Sequence, residues 1–117
     1  MIQIKDVKNL SAHEVRAGQL AGEILIVDVR EPGEFAAERI PGAISHPLST
    51  FNPASLRTSV DEISVVFQCG SGVRSLKAIR ACREAGIMVD SHLAGGIGGW
   101  KACGLPTERH PLQNATR

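Results

Sequence analysis

An apolar run, Val65-Val66-Phe67, passes through Gln68 into Cys69, and Gly70-Ser71-Gly72-Val73-Arg74 then leads through Ser75 into a stretch of helical composition. A strand that empties through a glycine loop into a helix start is the building unit of a mostly parallel α/β sheet, whose sites lie where strand carboxyl ends meet helix starts. Such a junction also turns several backbone N–H groups toward one point, the place of the Cys69 sulfur, and Arg74 brings a cation beside it. Gly70 and Gly72 suit this role because a chain that curls its amides inward needs unusual φ values and no side chains in the way. The pattern points to a nucleophilic thiol, against the plainer reading of a buried structural cysteine before an ordinary turn.

The energetic demand on such a loop is modest. A free thiol of pKa about 8.5 becomes mostly ionised at neutral pH once the pKa falls by roughly 2 units, which is about 2.7 kcal/mol. Charge-assisted hydrogen bonds contribute about 1.5 to 3 kcal/mol each and a helix terminus about 0.3 to 1, so two or three loop amides suffice and no histidine base is required. Four residues separate Cys69 from Arg74, with Ser75 at the next position. A cysteine phosphatase loop places one residue more before its arginine in order to embrace a phosphate, so this shorter cradle suits a terminal sulfur better than a phosphate dianion.

Elsewhere, Leu10-Ser11-Ala12-His13-Glu14-Val15 reads as a capping box, with Ser11 as the cap, Glu14 reaching back and Leu10 stapled to Val15, and predicts a helix over 12–20. An apolar run without polar alternation predicts a strand buried on both faces over 23–28, and further strands are expected over 62–68, delivering Cys69, and over 87–93. Residues 34–38, 54–59, 74–85 and 98–102 have helical composition, 43–46 reads as a short strand, and Gly95-Gly96 as a tight turn.

The 117 residues, 43% of them apolar, can bury one core but not two. A formal charge of +1 with interspersed signs, and an aromatic share of 3%, offer neither a basic stripe nor a stacking platform, so nucleic acid is not an expected partner. Three cysteines without a CxxC pair suggest neither a disulfide framework nor a zinc site, and no metal or cofactor is expected. No apolar run approaches the ~18 residues of a membrane span. Residues 1–6 alternate polar with apolar and lack a leader's apolar core, so the expectation is a cytoplasmic chain without membrane contact. Residues 107–117 read as a flexible tail or a linker; were the chain part of a longer membrane protein, its place would be the inner membrane face.

Taken together, Leu25-Ile26-Val27-Asp28-Val29-Arg30-Glu31, Glu34-Phe35, Ile40-Pro41-Gly42-Ala43-Ile44 with Pro47-Leu48, the Cys69 loop, and Leu93-Ala94-Gly95-Gly96-Ile97-Gly98-Gly99-Trp100 with Gly104-Leu105-Pro106 resemble, in order, the rhodanese family of sulfurtransferases. The resemblance implies a single α/β rhodanese-like domain over 1–106, with a mostly parallel central sheet flanked by helices. It also implies a persulfide carried on Cys69, taken from a small anionic donor such as thiosulfate and passed to cyanide, a thiol or a protein acceptor. By position Cys69 is then the catalytic residue, Gly70, Ser71, Gly72, Val73 and Arg74 the anion-binding loop, and Ser75 the residue that starts the helix. Gly70 stands where many thiosulfate-using members have a basic residue, which makes thiosulfate a mediocre donor. Arg39 stands where a histidine is usual, a change of local packing rather than of chemistry.

Readings from other classes are a cysteine phosphatase or arsenate reductase, a redox- or nitrosylation-sensing thiol, and a non-catalytic binding module, the last opposed by the presence of Cys69. Asp28 and Arg30, just past a central strand, are supporting candidates, expected as an internal ion pair that fixes the loop. Cys82 reads as a small core residue and Cys103 as a surface thiol with a packing role. Among the four histidines, His92 alone comes close to the expected rim of the site, and all four read as surface or internally satisfied side chains.

Overall fold

The computed structural model describes residues 7–109. In chain order these form β1 (Lys8–Leu10), α1 (Ala12–Leu20), β2 (Ile24–Asp28), α2 (Pro32–Ala37), β3 (Ile44–Ser45), α3 (Arg57–Glu62), β4 (Ser64–Gln68), α4 (Arg74–Glu84), β5 (Ser91–Leu93) and α5 (Gly96–Ala102), with 3-10 turns at Leu48–Thr50 and Pro53–Leu56. The five strands pair in parallel in the order β1-β5-β4-β2-β3. The strand that delivers Cys69 is therefore the middle one, as its unbroken apolar run requires.

Side chains of the two longest strands divide by parity between two cores. Val27, Val65 and Phe67 pack on one face with Ala78, Ile79 and Cys82 of α4, while Ile26 and Val66 pack on the other with Val15 of α1, Leu93 of β5 and Trp100 of α5. Each fully buried large side chain contributes about 1.5–3 kcal/mol. In α1, Glu14 N–H donates to Ser11 Oγ at 3.1 Å and Ser11 N–H to Glu14 Oε1 at 2.8 Å, the reciprocal cap its sequence specifies. In α2, Pro32 occupies the first turn, where a missing N–H costs nothing, so this helix begins two residues ahead of the expected 34–38.

Other differences have local causes. The strand expected over 87–93 is reduced to Ser91–Leu93: Ile87 and Val89 are buried, but they fill the core without entering the ladder. Glu62 closes α3 rather than opening β4, and the helical turn expected over 54–59 extends through Glu62. No apolar alternation announces β1, a three-residue edge strand with Lys8 and Asn9 exposed. Thr107 and Glu108, assigned by sequence to a tail, are tied to the domain: Arg39 and Glu108 exchange backbone hydrogen bonds of 2.9 and 2.8 Å, and Thr107 Oγ1 donates to Glu38 Oε2 at 2.5 Å. Residues 110–117 of the expected tail, like the N-terminal stretch 1–6, lie outside the described residues.

At the end of β2, Asp28 and Arg30 form a buried ion pair. Arg30 Nη2 lies 2.8 Å from Asp28 Oδ2, Arg30 Nε reaches both carboxylate oxygens at 3.0 and 3.1 Å, and Nη2 also donates to the Glu38 carbonyl at 2.7 Å. Removing the negative partner leaves an uncompensated buried guanidinium, so Asp28→Asn is expected to destabilise the fold by about 3–5 kcal/mol. Losing the exposed Lys8–Asp90 contact at 3.8 Å costs at most about 1 kcal/mol. Urea unfolding of Asp28→Asn and Lys8→Ala side by side checks both; equal midpoints would show that the buried pair contributes nothing.

Candidate active site

Cys69 leaves β4 at the carboxyl edge of the sheet, and its residue is only 1% exposed. The loop is shaped from behind by the turn that follows β5. Ile97 N–H donates to the Cys69 carbonyl at 2.8 Å and Gly98 N–H to the Gly70 carbonyl at 3.1 Å, while Gln68 Nε2 adds a second bond to the Cys69 carbonyl at 3.0 Å. In a trans peptide the C=O and the following N–H point in opposite directions, so holding these carbonyls against α5 turns the Gly70 and Ser71 N–H groups away from α5. Two glycines permit the approach. A Cβ on Gly96 (φ +63°) would lie 2.4 Å from the Gly70 oxygen, and one on Gly72 (φ +104°) 2.1 Å from the Ala94 oxygen.

Gly72 N–H donates to Cys69 Sγ at 3.1 Å, and Ser75 Oγ lies 3.7 Å from the same sulfur. Burial pushes the Cys69 thiol up, but the Ser75 N–H and hydroxyl together with the Gly72 and Ser71 amides outweigh it and hold the thiol below its ordinary value. Cys82, also buried and without such donors, is pushed up to about 11 by burial alone. The contrast isolates what the loop does. Cys103 is exposed.

Arg74 opens α4, but its guanidinium faces Glu34 of α2 rather than standing free beside the sulfur. Nη1 and Nη2 meet the two carboxylate oxygens at 2.7 and 3.1 Å. The Arg74 hydrogen bonds hold the Glu34 carboxyl down to about 2, so the pair stays ionised throughout the neutral range. Nη2 would also lie 3.1 Å from a Cβ on Gly70, so the position after the cysteine is overlaid by the arginine head. Val73 is 63% exposed at the tip of the loop. Ser71, Gly72 and Ser75 thus line the sulfur by main chain and hydroxyl, Gly70 lies under the Arg74 guanidinium, Arg74 stands at the edge with its charge balanced, and Asp28 and Arg30 brace the neighbouring strand end.

Two further residues complete this region: His92, expected from the sequence near the rim but as a surface or satisfied side chain, and Asn9, which carries no site signal in the sequence. His92, at the middle of β5, is buried at 3% exposure, and its Nδ1 lies 2.6 Å from Ser75 Oγ; its Nε2 lies 2.7 Å from Oδ1 of Asn9 on β1. Burial alone pushes the His92 ring below its ordinary value. His46 instead stands near an exposed Ser55 hydroxyl, at 3.5 Å. Among the described residues no group of three His, Cys, Asp or Glu side chains is arranged to hold a metal ion, and no helix is long and apolar enough to cross a membrane.

A sequence model of the family described as Rhodanese-like domain matches residues 11–103. An uncharacterized protein of Synechocystis sp. is 44% identical over 84 residues, which are 72% of this chain and 46% of that protein. A protein named sulfurtransferase from Allochromatium vinosum is 34% identical over 84 residues, covering 72% of this chain and 78% of its own length. Among solved structures, thiosulfate sulfurtransferase from Pseudomonas aeruginosa superimposes with a TM-score of 0.76 at 28% identity, over 91% of this chain and 21% of that one. The Alr3790 protein of Anabaena sp. superimposes with a TM-score of 0.74 at 27% identity, over 91% and 99% of the two chains.

The amide ring has a direct readout. The rate of Cys69 alkylation by iodoacetamide rises with pH as thiolate forms, and its midpoint is expected below that of the same cysteine in the unfolded chain, because the folded-state pKa is the lower one. Ser75→Ala, which removes one donor, is expected to move the midpoint upward. Coincident folded and unfolded profiles would show that the loop leaves the sulfur unactivated.

Proposed function

Since this chain belongs to the rhodanese-like domain family, whose named relatives include sulfurtransferases, we propose that it moves sulfane sulfur from a donor such as thiosulfate to a thiophilic acceptor, cyanide or a thiol, through a persulfide on Cys69. The observation that carries this reading is the sulfur of Cys69 set among the amides of a loop only four residues long before Arg74. The thiolate attacks the outer sulfur of the donor, a new S–S bond forms at Sγ, and the donor's own S–S bond breaks with its electron pair leaving on sulfite. The persulfide then extends into the space the loop amides surround, where its negative charge meets N–H dipoles already in place. An acceptor nucleophile attacks the outer sulfur, and the electron pair of the Cys69 S–S bond returns to Sγ.

Donor choice follows from the charges at the rim. A dianionic donor competes with the Glu34 carboxylate for Arg74, and Gly70 supplies no further cation. This arrangement favours small or singly charged sulfur donors over thiosulfate.

Treatment with thiosulfate or another sulfane donor is expected to add the mass of one sulfur atom to Cys69, with initial rates following ping-pong kinetics. Cys69→Ser is expected to take up no sulfur and to turn over none; normal turnover by this variant would falsify the proposal. Glu34→Gln frees Arg74 for the donor, and at about 1 kcal/mol for a partly exposed pair the KM for thiosulfate is expected to fall about fivefold with kcat little changed. An unchanged KM would mean that Arg74 takes no part in donor binding.

A further inference from the structure

Behind the loop, polar side chains form a line leading from the buried sulfur through buried Ser75 and His92 to Asn9 at the sheet edge. Cys69 Sγ lies 3.7 Å from Ser75 Oγ, Ser75 Oγ 2.6 Å from His92 Nδ1, and His92 Nε2 2.7 Å from Asn9 Oδ1. Ser75 is 0% and His92 3% exposed, so bulk water does not compete for the Cys69–Ser75 and Ser75–His92 contacts, and the line reaches solvent only at Asn9. Chemistry fixes the direction of each bond. Asn9 Oδ1 can only accept, so Nε2 carries a proton; in the neutral ring Nδ1 is then a lone pair, and Ser75 must donate its hydroxyl hydrogen to it. Ser75 has only lone pairs left for Cys69, which donates its S–H. Every donor along the line points away from the sulfur, and this pattern suits a thiol but not a thiolate.

The two patterns interconvert by one concerted shift. The S–H bond of Cys69 breaks as its proton bonds to Ser75 Oγ, the original Ser75 O–H bond breaks, and that proton bonds to His92 Nδ1. No proton is gained or lost overall. Afterwards the sulfur anion accepts from Ser75, Ser75 accepts from His92 Nδ1–H, and Asn9 still accepts from Nε2–H, so every buried group is again satisfied. We propose that His92 receives the Cys69 thiol proton through the Ser75 hydroxyl, and that Asn9 is the positioning residue that fixes the ring for this exchange. The inference rests on the persulfide reading for its catalytic use, since attack on a donor sulfur requires the thiolate.

The surroundings leave the thiolate as the natural counter-ion of a protonated His92. Across the sheet it is paired in register with Asn9 of β1 and Phe67 of β4, neither charged, and Ser75 reaches it from α4. The charged groups nearest in chain position are already paired with one another: Lys8 with Asp90 at 3.8 Å and, on the loop, Arg74 with Glu34 at 2.7 Å. Burial disfavours the charged ring when the sulfur is neutral. The proton therefore resides on His92 only while the sulfur is an anion, and returns when the sulfur is capped.

Ring-nitrogen NMR of ¹⁵N-histidine-labelled protein tests this, in the reduced unaltered protein, in Cys69→Ser and after alkylation of Cys69. In the reduced protein the His92 imidazolium is expected to persist to a pH about one unit or more above that in Cys69→Ser, as coupled sites require, and to disappear on alkylation. Equal His92 midpoints in the reduced protein and Cys69→Ser, or a neutral ring carrying its proton on Nδ1, would overturn the relay. His92→Gln is expected to raise the midpoint of Cys69 alkylation and to lose sulfur uptake at neutral pH but regain it at alkaline pH, a rescue that a purely structural role would not give. Mass measurement of sulfur uptake on the same samples separates the two readings: uptake without a His92 response removes the relay and leaves the transferase, whereas a His92 response without uptake does the reverse.

Discussion

The site depends on two carbonyl groups being held from behind. The Cys69 and Gly70 oxygens accept hydrogen bonds of 2.8 and 3.1 Å from the first amides of α5, which fixes the path of the loop that brings the Ser71 and Gly72 amides to the sulfur. It follows from the order of the strands: β4 and β5 are neighbours, so the loop after one and the turn after the other emerge side by side at the same edge. The approach is closer than any side chain allows, which explains glycine at 96 and at 72 on physical grounds independent of resemblance. Where a side chain must be absent for two backbones to meet, the sequence carries a visible mark.

Negative charge at this site is balanced chiefly by main-chain dipoles. Both arginines near the loop are committed to carboxylates, Arg30 to buried Asp28 and Arg74 to Glu34, so neither presents an uncompensated cation to the sulfur. Amides that are already oriented need no reorganisation when an anion forms, which is the advantage of dipoles over mobile cations. The comparison of Cys69 with Cys82 shows the direction of the effect within one molecule. Two buried thiols of the same chain shift in opposite directions, and the difference lies in the donors that reach the sulfur rather than in burial.

What the sequence disclosed was local. The Ser11–Glu14 cap, the strands over 23–28 and 62–68, the glycine loop and the helix after it each depend on residues within one turn or one strand, and the structure has them with shifts of one or two residues at their ends. What it concealed was distant. Asn9 meets His92 across 83 positions, and Glu34 meets Arg74 across 40. Neither partner lies on a periodic face, and β1 has too few residues to show alternation. Arg74 was legible as the closing cation of the loop, but its partner was not, because charge balance is a property of the assembled sheet edge. The over-long strand at 87–93 is the converse case, since apolar content reports burial and says nothing about pairing.

The sheet also separates its chemistry from its stability. The apolar middles of β2 and β4 carry the two cores, whereas Asp28, Arg30, Gln68, Ser75 and His92, the buried polar residues, gather at the carboxyl edge or on the helix that starts there. Register keeps them close: Asp28 is paired with Gln68, and His92 lies one position back, opposite Phe67. A buried polar group left without a partner costs about 1–3 kcal/mol, and a set of them is tolerable only where each can bond to the next. Two short lines meet that condition, Asp28 bonded to the guanidinium and backbone N–H of Arg30 on one side and Cys69 to Ser75 to His92 to Asn9 on the other, while Gln68 Oε1 has no hydrogen-bond partner among the described residues. A single apolar replacement within either line would leave its neighbours unsatisfied, so the polar edge is cooperative in the way a hydrophobic core is, and the reactive sulfur lies at the end of one such line.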